Sequence, residues 1–193
     1  MKYGFFEEYL NALAAKAPTP GGGGVAALNA ALAASLLQMV LAYSRSKMPA
    51  AVAEMAEQLA LQCQRSVRRC LVLMEEDEQV FTTLRTLWQE REDAQAKLDN
   101  AYLAAAAPGV EILEIVYGLS EQLRQISPHT KASLRSDLEI VVANFMAAAA
   151  AATSNVFING RAVQDKTKRE QLLSSAMTRK QDISENCEVI AQT

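Results

Sequence analysis

The sequence predicts an all-α protein, a single-domain helical bundle with long Ala-rich helices. Three observations carry this. Half of the 193 residues are hydrophobic but only 6% are aromatic, so alanine, leucine and valine supply the apolar content. Alanine is the best helix former and is depleted in strands. Breakers are few: eight glycines, four of them consecutive, and five prolines, at 18, 20, 49, 108 and 128. No segment alternates apolar and polar residues with the period of two that a half-buried strand needs. A chain of this length supports one sizeable core, so residues 1–193 are read as one domain.

Residues 2–16 read as a short amphipathic helix, with Phe5, Phe6, Tyr9, Leu10 and Leu13 at helical spacing. "APTPGGGG" ends it. Residues 25–46 form a second, almost wholly apolar helix. Such a helix needs cover on every side, which places it at the bundle centre or against a second subunit. Val25–Tyr43 approaches membrane-spanning length. Its Asn29, Ser35, Gln38 and many alanines favour a buried core helix instead. Pro49 suits the first turn of a third helix. That helix meets no breaker before "EEDE" and runs towards Trp88. A helix of about 40 residues is unusual, so a bend or break is expected near 75–78 or 89–93. Residues 93–106 read as another helix. Pro108 and Gly109 punctuate it and open the next, striped by Leu113, Val116, Tyr117 and Leu123. "SPHT" reads as a loop, 133–158 as a long Ala-rich helix, "NG" at 159–160 as a turn or kink, and 162–190 as a closing polar helix.

The net charge of −3 argues against a dedicated nucleic-acid binder, and aromatics are too sparse for a base-stacking surface. Acids concentrate in 74–93 and bases in 160–180. These are solvated helix faces, or the basic segment receives an anionic ligand or an acidic partner surface. Cys63, Cys70 and Cys187 are odd in number and lack CxxC spacing. With no secretory signal before the first helix, reduced thiols in a cytoplasm fit best. Cys63 and Cys70 share a helix face as small core residues.

Two constellations bear on chemistry. Glycines that open a helix leave free N–H groups and a positive dipole end, suited to an anion or a carbonyl. No Lys-Ser or Lys-Thr follows them, so this is not a Walker A loop. A tight helix crossing explains the same glycines equally well. The second is "RSDLEIVVANFMAAAAAATSNVFING". At 100° per residue, Asp137, Asn144, Asn155 and Asn159 share one stripe among alanines. A polar stripe on a helix fit for burial is costly unless satisfied. It is also roughly 33 Å long, too long for one small-molecule site within one chain. "EEDEQVF" sets Asp77 and Phe81 one turn apart, as an exposed acidic turn or as a carboxylate near a site. His129, the sole histidine, would have to carry any His-based metal site or triad alone.

The ordered run Phe6, Leu13-Ala14, Pro18-Thr19-Pro20-Gly21-Gly22-Gly23, Ala26-Ala27-Leu28, Leu36 and Met39-Val40 resembles the opening of the formiminotetrahydrofolate cyclodeaminase / methenyltetrahydrofolate cyclohydrolase family. Asp77 with Phe81, Ala106 to Ile112, Ser136-Asp137 and Asn155 to Asn159 follow in register, so the resemblance spans nearly the whole chain. Gly24 stands where the family usually has serine. The resemblance implies an all-α domain that dimerises and binds folate near the subunit contact. It implies cyclodeamination of 5-formiminotetrahydrofolate to 5,10-methenyltetrahydrofolate plus ammonia, or hydrolysis of the methenyl ring. Neither reaction needs a metal or redox cofactor. By the same resemblance Asp137 is the candidate catalytic acid. Thr19, Pro20, Gly21, Gly22 and Gly23 bind substrate with Asn155 and Asn159, and Lys47, Arg161 or Lys166 meets the glutamate tail. The implied setting is a cytoplasmic homodimer with no nucleic-acid or membrane partner. The rival readings are a non-catalytic or repurposed member binding a folate-like or other anionic ligand, and a purely structural helical partner domain.

Overall fold

In the computed structural model, residues 4–90 and 94–193 are described, and among them every extended regular element is helical. The helices are α1 (Gly4–Ala14), α2 (Gly22–Ser44), α3 (Ala50–Gln89), α4 (Gln95–Ile126), α5 (Arg135–Gly160) and α6 (Lys166–Ala191). Single 3₁₀ turns lie at Arg45–Lys47, Ser127–His129 and Ala132–Leu134, so "SPHT" is a tight turn rather than an open loop. The expectations touching residues 1–3 and 91–93 lie outside the described residues.

α2 is the centre, packed against α3, α4 and α5. Its Ala26, Ala27, Ala30, Ala33, Ala34 and Leu37 are fully buried. Small side chains on a central helix let its neighbours approach closely, which is why an Ala-rich sequence can fill a core. α2, α4 and α5 are each long and apolar enough, by length and composition, to cross a membrane; in the fold their apolar stripes form one shared core. Cys63, Cys70 and Cys187 are buried and unpaired, and burial pushes each thiol up to about 12. They act as small core side chains.

Successive long helices run antiparallel. α3 returns along α2 until Asp77 meets Gly23, and α5 returns along α4 with Val156 against Gly109. α6 packs back on α5 and α4, with Arg179 on Glu114 (2.8 Å) and Asn186 on Ser120 (3.2 Å). Arg69 binds Glu76 and Glu111 through two bonds each, of 2.6 to 2.9 Å, pinning α3 to α4, with Glu76 one residue before Asp77.

Of the expected breaks, the one in the third helix falls at the second of its two places, and the one at Pro108 is corrected. α3 runs its 40 residues without a break at 75–78 and ends at Gln89; the turn of acids there lies inside a continuous helix. α4 is one helix of 32 residues with Pro108 inside it. Proline removes one helical N–H. Here it precedes the point where α4 crosses α5: a Cβ on Gly109 would lie 2.9 Å from Val156 Cγ2 and 3.0 Å from the Ala152 carbonyl oxygen. The Asn159 amide also donates to the Ala105 carbonyl at 3.3 Å, tying the proline turn to α5. α5 itself continues through Asn159 to Gly160, beyond the expected stop.

Candidate active site

α3 has 40 residues and α2 has 23, so α3 and the start of α4 project past the first turn of α2. The step leaves a cleft of ≈ 380 Å³ above the α2 N-terminus. Its floor is Gly21, Gly22 and Gly23 with Pro18 and Thr19; its walls come from α3, α4 and the last turns of α5. That volume is in the range of small-molecule sites.

The four glycines are not there for backbone freedom, since no glycine has a positive φ among the described residues. Space is the reason for two of them. A Cβ on Gly23 would overlap the carboxylate of Asp77, and one on Gly24 would lie 3.3 Å from the Tyr9 hydroxyl. Gly21 and Gly22 have nothing within 4 Å of a notional Cβ, yet both line the cleft. Their missing side chains leave the floor open to whatever enters.

Asp77 is the acid of this cleft. It is 9% exposed, accepts the Gly24 backbone N–H and receives the Asn155 amide at 3.4 Å. Asn159 donates to the Asn155 carbonyl at 3.0 Å and to its side-chain oxygen at 3.4 Å. The asparagines sit four residues apart, so one turn of α5 sets the Asn155 amide on the carboxylate and the Asn159 amide behind it on Asn155. Burial pushes the Asp77 carboxyl above the usual range, and Glu78 adds to this; the Gly24 and Asn155 hydrogen bonds oppose it. Behind Gly24, the Tyr9 hydroxyl is buried without a hydrogen-bond partner among the described residues. Burial, then Glu78 and Asp77, push it up, so it stays a neutral phenol.

The structure brings together Thr19, Gly21, Gly22, Gly23, Asn155 and Asn159 as expected. Pro20 lies in the same turn, joined to Thr19 by a cis peptide bond. Asp137 is corrected: it occupies the first turn of α5, about 27 Å along the axis from Asn155, and does not reach the cleft. A helical phase angle groups residues by direction and says nothing of depth. Asn144 is likewise remote, its amide turned back onto the Ile140 carbonyl at 2.9 Å. Lys47 lies at the opposite end of α2 from the glycines. Arg161 caps α5 with its guanidinium 5.3 Å from the Phe157 ring centre, one residue before Ala162 at the cleft wall. Lys166 opens α6 and pairs with Glu170 at 3.8 Å.

Sequence reasoning left Asp77 as one of two alternatives and did not single out Val80, Trp88, Tyr102 or Ile158, all of which line the cleft. The available signal was Asp77 with Phe81 one turn on, both facing the glycines.

Known proteins of similar sequence and fold identify the family. A family profile described as Formiminotransferase-cyclodeaminase matches residues 6–178. A methenyltetrahydrofolate cyclohydrolase from Methylorubrum extorquens is 25% identical over 175 residues, covering 86% of this chain and 84% of the relative. The crystal structure of formiminotetrahydrofolate cyclodeaminase from Thermotoga maritima superposes with a TM-score of 0.89 at 22% identity, covering 96% of this chain and 93% of the other. At that identity the likeness speaks for the fold.

Proposed function

This chain belongs to the formiminotransferase-cyclodeaminase family, and from that premise we propose that it is a folate one-carbon enzyme of the cyclodeaminase or methenyltetrahydrofolate cyclohydrolase type. The observation that carries the proposal is one buried carboxyl, Asp77, set against the amides of a glycine-floored helix start in an open cleft.

Both reactions need proton transfer at a tetrahedral carbon between two nitrogens. In the hydrolysis, water adds to the cationic methenyl carbon while the Asp77 carboxylate accepts its proton. The C–N5 bond then breaks, the proton held by Asp77 goes to N5, and the hydroxyl on carbon loses its own proton to solvent as the carbonyl of the N10 formyl group forms. In the cyclodeamination, N10 adds to the carbon of the protonated formimino group, whose nitrogen becomes an amine, and gives its proton to Asp77. That proton is passed to the departing amine, which leaves as ammonia. Carbon keeps its oxidation level in both, so no redox partner is required. A carboxyl raised above its usual range holds and releases a proton closer to neutrality, where general acid–base catalysis is efficient. The negative form also faces a cationic reaction centre.

Asn155, Asn159 and the glycine amides supply donors and acceptors for the pterin edge. No lysine or arginine lines the cleft among the described residues, although the ligand carries a glutamate tail. A homodimer resolves this. Leu32 and Tyr43 of α2 and Ile140 and Met146 of α5 are exposed apolar side chains, of the kind that subunit pairing covers. In such a pair the second copy supplies the base for the tail, with Lys47 as the candidate. Unpaired buried thiols fit a reducing cytoplasm.

By absorbance, loss of the methenyl chromophore tests the hydrolysis and its appearance from 5-formiminotetrahydrofolate tests the cyclodeamination, while ligand-dependent melting tests binding apart from turnover. The expected result is turnover by the native chain and a loss of at least a hundred-fold in Asp77→Asn. An Asp77→Asn protein that keeps full turnover refutes the assignment.

A further inference from the structure

Five phenylalanines, five tyrosines and one tryptophan occur in the chain, and three of these aromatics gather at one end of the cleft. Trp88 lies eleven residues after Asp77 on α3, about 16 Å along the axis. Side chains on a helix lean towards its N-terminus, so the indole turns back to meet Phe81 edge-on, with centroids 6.1 Å apart and planes at 85°. The indole N–H donates to the Tyr102 hydroxyl of α4 at 3.0 Å, and those rings are 6.3 Å apart. Its one polar group is thus satisfied within the protein and its orientation fixed. The ring nonetheless remains 47% exposed.

We propose that Trp88 is a ligand-stacking residue: this end of the cleft takes the second planar ring of an extended ligand whose reacting carbon lies at Asp77. The inference rests on the folate reading above and adds an orientation to it. The two ends differ in chemistry. Around Asp77 are amides and glycine N–H groups, which meet the many donors and acceptors of a pterin. Around Trp88 the wall is Phe81 and Tyr102, and Val80 and Ile158, the last 74% exposed, add apolar surface to the same cleft. A pterin edge there would lose its hydrogen bonds. A p-aminobenzoyl ring, planar and with few polar atoms, stacks there without that loss.

The test uses the full chain with Trp88→Leu and Trp88→Phe. Trp88 is half exposed, so its truncation leaves no sealed cavity, and the Phe variant keeps an aromatic face. With 5,10-methenyltetrahydrofolate, Trp88→Leu should raise KM about ten-fold, the range of one lost stacking contact, with most of the loss in KM rather than kcat. Trp88→Phe should recover most of it. Calorimetric binding of p-aminobenzoyl-glutamate, which has no pterin, should weaken by a similar factor in Trp88→Leu. This second readout needs no turnover, so an inactive protein that still binds the fragment through Trp88 refutes the enzymatic reading and leaves this one standing. An unchanged KM, a fragment that binds Trp88→Leu as well as wild type, a wild type that does not bind it, or a Trp88→Leu effect confined to subunit association overturns the inference.

Discussion

Asp77 and Asp99 are almost equally buried, 9% and 6% exposed, and their carboxyls are driven in opposite directions. Asp99 accepts the backbone N–H groups of Gln164 (2.9 Å) and Asp165 (2.8 Å) and the Gln95 amide (2.7 Å). Those bonds, the two backbone ones first, hold it below the usual carboxylate range. It fastens the start of α4 to the turn that leads into α6, and its bonding capacity is spent. Asp77 has one backbone N–H and one long amide contact, and burial dominates. Burial alone therefore does not mark a reactive acid. What marks it is burial with too few hydrogen bonds, beside open space.

The largest expected effect breaks this contrast at Asp77. Asp77→Asn should cost at least a hundred-fold in turnover while leaving the melting temperature at pH 7.5 unchanged or higher, because an isosteric neutral amide removes a poorly solvated charge. The sign with pH follows. A raised folded-state value means that wild type loses stability relative to Asp77→Asn as pH rises from the unfolded carboxylate value, about 3.9, through the folded one. Asp99 behaves oppositely: its contribution is complete above about pH 3.9 and fades as pH falls through its lowered folded value. Urea titrations of the two Asn variants between pH 3 and 8 should show these slopes. Slopes of the same sign would erase the distinction.

Next in size is a contrast within the glycine run. Gly23→Ala collides with Asp77 and should cost about 1–3 kcal/mol, as overpacking does, along with activity. Gly22→Ala meets no neighbour and should unfold at the native temperature, with its penalty confined to KM. Equal melting losses in the two would mean that the floor is packed rather than open. Asp99→Ala should lower the melting temperature by several degrees, with kcat per folded molecule unchanged. The smallest effect is expected at Tyr9→Phe. Removing an unpartnered buried hydroxyl should move stability by less than about 0.5 kcal/mol, in the stabilising direction if at all; a large loss would reveal a hidden partner.

The helical character, the central α2 and the pairing of Asn155 with Asn159 were legible because each depends on composition or on local spacing. The remaining differences have one origin. Asp137 shares a direction with Asn155 around α5 but sits five turns away, and direction is all that periodicity reports. Asp77 becomes part of the site through α3 folding back on α2, a contact between residues more than fifty positions apart. Trp88 and Tyr102 meet across two helices, each unremarked in its own segment. Pro108 reads as a stop because the rule is local, whereas the α4–α5 crossing and the Asn159 amide are supplied from elsewhere in the chain.

The step between a 23-residue α2 and a 40-residue α3 works as a ruler. The depth of the cleft is counted in helical turns, about 5.4 Å each, and owes little to the identity of any one side chain. Inserting a turn into α3 beyond Phe81, matched in α4, would admit a longer guest at the same reacting acid.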